Sequence, residues 1–307
     1  MTLFHGLSAF PLTPAGAAGQ VQTEALCLLL ERIRKAGADS VGLLGSTGAY
    51  PYLSRSERRR TVEAAVESLG GQTPVVVGVG ALRTDEAQEL ARDAEEAGAD
   101  GLLLAPMSYQ PLTDGEVYQH VLAVTEATGL PLCLYNNPTT TRFTFSPNLI
   151  AELAQVPGVA AVKMPLPADG DYAGELGRIR AMVPASFAIG HSGDWGAANA
   201  LLAGSNAWFS VVAGLLPAPA LRLARAAQAG DAEDARRVDD AFQPLWSLFR
   251  QWGSFRVMYA LADVLGLGAF EPPRPLLPIG PEVRARLGEA LDRLATLSLP
   301  TSIHSAP

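Results

Sequence analysis

The chain alternates between short apolar runs and longer amphipathic stretches. Eight apolar runs recur: Leu7 to Leu12, Ser40 to Gly45, Pro74 to Gly80, Gly101 to Pro106, Pro131 to Asn136, Val159 to Met164, Phe187 to Gly190 and Ala207 to Val212. Most are rich in Val, Leu and Ile with little polar alternation, the look of strands buried on both faces, as in a parallel sheet. The stretches between them carry helix-start signals. Ser54 precedes the segment that holds Glu57, Thr84 precedes Asp85 and Glu86, and Ser146 precedes Pro147.

An internal echo points to repetition. Ala36-Gly37-Ala38-Asp39 leads into Val41-Gly42-Leu43-Leu44, and Ala97-Gly98-Ala99-Asp100 leads into Leu102-Leu103-Leu104. In each, the glycine ends a helix and the chain drops into a strand. A weaker version, Ala203-Gly204-Ser205-Asn206, precedes the last run. Eight strand–helix units predict an α/β fold, a (β/α)8 TIM barrel. A doubly wound open sheet is the competitor, but no G-x-G-x-x-G follows the first run, and Gly78-Val79-Gly80 is too short a match.

Beyond Leu216 the pattern turns helical, with helices expected over Ala218 to Ala229, Ala232 to Trp252, Phe255 to Leu265 and Glu282 to Leu297. The expected division is a catalytic barrel over residues 1–230 and a C-terminal helical region over 231–307. Trp246, Phe249, Trp252 and Phe255 recur at helical spacing, which predicts packing against the barrel or a neighbouring subunit. The last ten residues, including Pro300, Ser302 and Pro307, read as a loose tail.

Composition narrows the function classes. The 307 residues carry a formal net charge of -8, which argues against a nucleic-acid binder. The one basic cluster, Arg58-Arg59-Arg60, lies beside Glu57 and Glu63 and reads as a solvated helix face. Cys27 and Cys133 sit in apolar runs and read as small buried side chains in a reducing, cytoplasmic setting. No run is long enough to span a membrane and no secretory leader pattern opens the chain. His5, His120, His191 and His304 show no metal-ligand spacing, so no metal site is expected.

Against this background Lys163 stands out. It lies near the end of the run Val159 to Met164 with no acidic neighbour in sequence. Burial disfavours an ammonium and turns the amine into a nucleophile able to form a Schiff base. In a barrel, catalytic groups sit at the C-terminal ends of strands. Tyr135 ends the fifth run, and Gly45-Ser46-Thr47-Gly48 ends the second. A phenol can move protons during imine and aldol steps. Hydroxyls on a glycine turn can hold a carboxylate beside close backbone N–H groups. These parts together suit imine chemistry on a 2-oxo acid.

The same segments resemble the lysine-dependent pyruvate aldolases, the family of dihydrodipicolinate synthase and N-acetylneuraminate lyase. The likeness covers nearly the whole chain. Ser8-Ala9-Phe10-Pro11-Leu12-Thr13 is similar to the family's opening strand, Gly45-Ser46-Thr47-Gly48 to its carboxylate turn, Tyr135-Asn136-Asn137-Pro138 to its tyrosine motif and Val162-Lys163 to its Schiff-base strand. Ser192-Gly193-Asp194 and the stretch Pro272 to Pro278 match further family segments. The resemblance implies that Lys163 forms the imine, Tyr135 shuttles protons and Ser46 relays them. Thr47 and Gly48 would hold the pyruvate carboxylate, and Gly193 and the backbone near Phe209 would border the pocket. It also implies an aldehyde as second substrate, a homotetramer built as a dimer of dimers, and no metal or organic cofactor.

Departures from the family pattern lie on the acceptor side. Thr140 stands where the lysine-biosynthetic synthase carries an arginine, and Arg142 lies two residues further on. A threonine cannot replace a bidentate guanidinium, which argues against aspartate semialdehyde as acceptor. Ser108, with Tyr109 next to it, stands where that synthase lends a tyrosine across the interface. Asp194 is followed by Trp195, and an aromatic there suggests a less polar or smaller acceptor. Ala49-Tyr50 follows the glycine turn in place of the usual glutamate, and Met164-Pro165 follows the lysine in place of an acid.

The expected function is therefore a Schiff-base lyase or aldolase acting on pyruvate or a related 2-oxo acid. The alternatives are 4-hydroxy-tetrahydrodipicolinate synthase activity, a 2-oxo-3-deoxy sugar-acid aldolase or dehydratase, or a catalytically silent binding protein on the same fold.

Overall fold

The computed structural model describes residues 3–298. Eight parallel strands close into a barrel in sequential order, with β8 returning to β1. The strands are β1 (Gly6–Ala9), β2 (Ser40–Leu43), β3 (Val75–Gly78), β4 (Gly101–Leu104), β5 (Leu132–Tyr135), β6 (Val159–Met164), β7 (Ala188–His191) and β8 (Ala207–Ser210). The apolar runs overshoot most strands by a few residues. Leu12, Leu44, Val79, Ala105 and Val212 are buried at the barrel mouth although their strands have ended, so hydrophobicity outruns the strands.

Helices α1 (Thr23–Ala36), α2 (Arg55–Leu69), α3 (Thr84–Glu96) and α4 (Asp114–Thr125) cross back between the first five strands. After β5 come the single turn α5 (Pro138–Thr141) and α6 (Pro147–Leu153), then α7 (Tyr172–Arg180), α8 (Ala197–Leu202) and α9 (Pro217–Gln228). The echoed glycines behave alike: Gly37, Gly98 and Gly204 take φ of 85°, 89° and 100°, the left-handed turn that closes a helix. Ser54 and Ser146 accept from the backbone N–H of Glu57 and Leu149 as caps. Thr84 does not cap. It is the first residue of α3, and its hydroxyl instead meets Nδ1 of His120 at 3.0 Å.

The solvated reading of the basic cluster holds for Arg59 and Arg60 but not for Arg58. Arg59 and Arg60 pair with Glu63, Glu96 and Glu57 at the surface. Arg58 is 6% exposed and donates to the carbonyls of Gly78 (2.8 Å), the last residue of β3, and Gly80 (3.1 Å), just beyond it. Those carbonyls have no ladder partner there, and a guanidinium can serve both at once. Burial pulls its pKa down to about 10, so it stays charged at neutral pH.

The C-terminal helices are α10 (Ala232–Trp252), α11 (Ser254–Val264) and α12 (Pro281–Ala295). They share the core that the barrel helices make with the sheet. Phe242 and Trp246 stack at 4.6 Å, and Trp246 and Phe249 are fully buried. Trp252, at the end of the same stripe, is 36% exposed. The tail residues Pro300, Ser302, His304 and Pro307 lie outside the described residues.

Inside the barrel, side chains alternate in and out along each strand. Phe10, Val76, Leu103, Cys133, Ala161, Ala188, Ala207 and Phe209 form one packed cluster there. Two glycines clear room for its rings. A Cβ on Gly42 would stand 2.1 Å from Phe10, and one on Gly190 would stand 2.5 Å from Phe209.

Candidate active site

Strand periodicity places the two central groups. Cys133 pairs with Ala161, and two residues further on Tyr135 pairs with Lys163. A step of two keeps the same face, so both side chains point inward, above the Cys133–Ala161 level. Lys163 also pairs with Gly190 of β7, which has no side chain to crowd it.

Lys163 is 4% exposed, and its amine stands among three rings. Nζ is 4.0 Å from the Phe10 ring centre, 4.2 Å from Tyr135 and 5.5 Å from Phe209. The amine opens into a cavity of about 960 Å³ at the C-terminal mouth of the barrel. The ring of Phe10 lines its inner end. Phe209 itself lies at the level of the packed cluster, and the cavity wall on that side is Val211.

Ser46 and Thr47 enter the cavity from the turn after β2. The turn is tightly wound: Leu44 and Ala49 both take positive φ, 53° and 55°. Gly48 folds back so closely that a Cβ would meet the Leu44 backbone at 2.9 Å. A side chain at 48 would push the turn outward and move the two hydroxyls with it. Gly48 thus shapes the turn from outside the cavity wall.

The hydroxyls form a small network. Ser46 Oγ lies 3.4 Å from the phenolic oxygen of Tyr135. Asn137 Nδ2 donates to the Tyr135 oxygen at 3.0 Å and lies 3.5 Å from Ser46 Oγ. At its other end Asn137 Oδ1 accepts from Thr139 Oγ1 at 2.7 Å. In the sequence Asn137 is marked only as part of the tyrosine motif. A residue two beyond a strand-end tyrosine carries no periodic signal that would aim it back at the phenol.

The other candidates divide. Thr140, Gly193, Asp194 and Trp195 reach the same cavity. Asp194 is 2% exposed, and its carboxylate accepts from Trp208 Nε1 (2.9 Å) and from the N–H groups of Val211 (3.2 Å) and Val212 (2.7 Å). Burial pushes its pKa up to about 6, against the pull of these donors. It works as a clamp between the turn after β7 and the end of β8. Ser108 and Tyr109 do not reach this cavity; they line a separate groove after β4, where Tyr109 is 83% exposed. Arg142 is exposed, lies outside the cavity wall and has a left-handed φ of 58°.

Two wall residues come from the aromatic stripe. Phe249, from the end of α10, and Phe255, from the start of α11, close the far side of the mouth. The stripe's spacing announced packing, and a buried aromatic that packs on one edge and lines a cavity on the other has the same sequence signature. Tyr172, at the start of α7, also reaches in. Among the described residues, no cluster of three or more His, Cys, Asp or Glu side chains is arranged to hold a metal ion.

The chain's similarities agree with this geometry. The family model for the "Dihydrodipicolinate synthetase family" matches residues 3–294. The 4-hydroxy-tetrahydrodipicolinate synthase of Leptothrix cholodnii is 36% identical over 283 residues, covering 91% of this chain and 94% of that protein. The crystal structure of dihydrodipicolinate synthase from Agrobacterium tumefaciens superposes with a TM-score of 0.94 at 60% identity, covering 95% of this chain and 99% of that one. A dihydrodipicolinate synthase from Acinetobacter baumannii, solved in complex with pyruvate, superposes with a TM-score of 0.86 at 28% identity, covering 95% and 99%. A barrel with a caged lysine beside a tyrosine, matched over nearly its full length by such relatives, establishes that the chain belongs to the dihydrodipicolinate synthetase family.

Proposed function

We propose that the protein condenses pyruvate with an aldehyde, or runs the reverse cleavage, through a Schiff base on Lys163. The observation that carries this reading is the buried amine of Lys163, held beside Tyr135 and open to the cavity. The Acinetobacter relative in complex with pyruvate supports the choice of 2-oxo acid.

In the forward direction the Lys163 amine adds to C2 of pyruvate, and loss of water leaves an iminium. Its positive charge acidifies the methyl group, and loss of one C3 proton yields an enamine. C3 then bonds to the aldehyde carbon, and the aldehyde oxygen takes a proton from Tyr135. Water hydrolyses the new iminium, releases a 4-hydroxy-2-oxo acid and restores the amine. Ser46 passes the Tyr135 proton onward, while Thr47 and the backbone of the Gly45–Gly48 turn hold the pyruvate carboxylate. No metal or organic cofactor has a step in this scheme.

The names of the relatives favour a second reading, 4-hydroxy-tetrahydrodipicolinate synthase activity. Thr140 on the cavity wall, in place of a cation, weighs against it. Further parts of the reading are a catalytic barrel over residues 1–230 with a C-terminal region over 231–307, a cytoplasmic setting and a homotetramer. Free Cys27 and Cys133 support a reducing compartment. Among the described residues, no helix is long and apolar enough to cross a membrane. Leu82 and Tyr109, 62% and 83% exposed, line one groove, apolar surface of the kind a second copy would cover.

Hydrogen exchange tests the core of the reading without any acceptor. In D2O the enzyme should wash protons out of the pyruvate methyl group, seen as loss of its proton NMR signal. The Lys163→Ala variant should leave that signal at the uncatalysed rate. Equal behaviour of the two proteins would refute the reading.

A further inference from the structure

The cavity extends well beyond the space that a three-carbon acid would fill beside Lys163, and the chemistry of its outer half narrows the second substrate. The inference rests on the Schiff-base reading above.

Among the described residues, Lys163 is the one cationic side chain on the cavity wall. As an imine it is already committed, with its charge opposite the carboxylate of the bound 2-oxo acid. Two carboxylates reach the cavity. Asp194 is held by its three donors, and Asp169 stands exposed at the rim. A second carboxylate, carried by the acceptor, would meet Asp169 and no countercharge. Burying a charge without a partner is strongly unfavourable.

A polyhydroxylated acceptor fares little better, because it needs several free hydrogen-bonding groups in the outer half. Asn137 is engaged with Tyr135 and Thr139, and Thr140 Oγ1 already donates to the Asn137 carbonyl. Of the other hydroxyls there, Ser192 donates to the Met164 carbonyl, leaving Tyr172 and Ser254, and much of the remaining wall is apolar: Pro165, Leu166, Pro167, Trp195, Phe249 and Phe255. Trp195 leaves 37% of its surface uncovered at this mouth. The two prolines fix the loop after β6, so this face is set before a ligand arrives.

We propose that the acceptor subsite takes an uncharged aldehyde with an apolar body about the size of an aromatic ring. Its carbonyl points at Tyr135 and its body lies between Trp195 and the Phe249–Phe255 wall.

A matched pair of probes tests this, each offered with saturating pyruvate. Benzaldehyde and 4-carboxybenzaldehyde share a ring and differ by one carboxylate, and glyceraldehyde serves as the hydroxylated comparison. The expected kcat/KM for benzaldehyde exceeds that for either competitor by about 30-fold or more. Trp195→Ala should narrow the benzaldehyde to 4-carboxybenzaldehyde ratio by about tenfold. Equal or better turnover of 4-carboxybenzaldehyde or glyceraldehyde overturns the proposal, as does a ratio unmoved by Trp195→Ala. Pyruvate methyl exchange, read in the same samples, separates the failures. Exchange without benzaldehyde turnover sinks the acceptor proposal alone, whereas absent exchange removes the Schiff-base reading and this proposal with it.

Discussion

The side-chain amide of Asn137 donates to the phenolic oxygen of Tyr135 across 3.0 Å. An oxygen that accepts from Asn137 keeps its own proton free to point at a substrate, so the amide orients Tyr135 for proton transfer. The same nitrogen lies 3.5 Å from Ser46 Oγ, so one side chain holds both relay groups in register.

Replacing Asn137 with Val keeps the approximate volume and deletes the donor. The expected result is a loss of about tenfold in kcat, because the phenol loses the group that orients it. Trapping of the pyruvate imine should persist, because Lys163 is untouched. An unchanged kcat would show that the amide does not orient the phenol. Tyr135→Phe should cost more, on the order of 10²- to 10³-fold in kcat, since the proton carrier itself is removed.

Asp194 makes a stability prediction. Its carboxylate takes three donors from β8 and the residues just beyond it, and an asparagine offers only one acceptor oxygen. Asp194→Asn leaves at least one buried N–H without a partner and should lower unfolding free energy by about 3 kcal/mol in urea melts. A loss below about 0.5 kcal/mol would mean that the loops re-pair locally.

Acid stability should register the Arg55–Asp93 contact between α2 and α3. The Arg55 guanidinium donates to Asp93 and holds its carboxyl below the ordinary value of 3.8. The folded protein therefore binds fewer protons here than the unfolded chain as pH falls through that range. The stabilisation is complete well above pH 3.8 and drains away as pH drops toward the folded value. Asp93→Asn should lower stability at pH 7 by about 1 kcal/mol, a figure kept small because both arginine partners are partly solvated. The gap from wild type should close below pH 3.8, as measured by denaturant melts across pH. A gap that stays constant with pH would assign the cost to packing.

The barrel was legible because burial on both faces writes continuous apolar runs, and each of the eight became a strand. The ends of those runs were less legible. Leu44 and Val79 look like strand residues but lie just past the ends of β2 and β3. Lys163 and Tyr135 stood out because a cation and a phenol at strand ends break the apolar pattern. Arg58 was misjudged for the opposite reason: it sits in a charged helical stretch, and only the end of β3 reveals the carbonyls it serves. Asn137, Phe249 and Phe255 needed three dimensions. Each reaches the cavity from a segment whose local pattern records only a turn or a packed helix.

The claim beneath all of this is covalent, and mass spectrometry tests it most directly. The intact protein is incubated with pyruvate and sodium borohydride, digested, and its peptides are mapped. The expected result is a single reduced pyruvate adduct on the peptide bearing Lys163, absent when pyruvate is omitted and absent in Lys163→Ala. Unmodified Lys163, or an adduct on some other lysine that survives in the variant, would contradict the account.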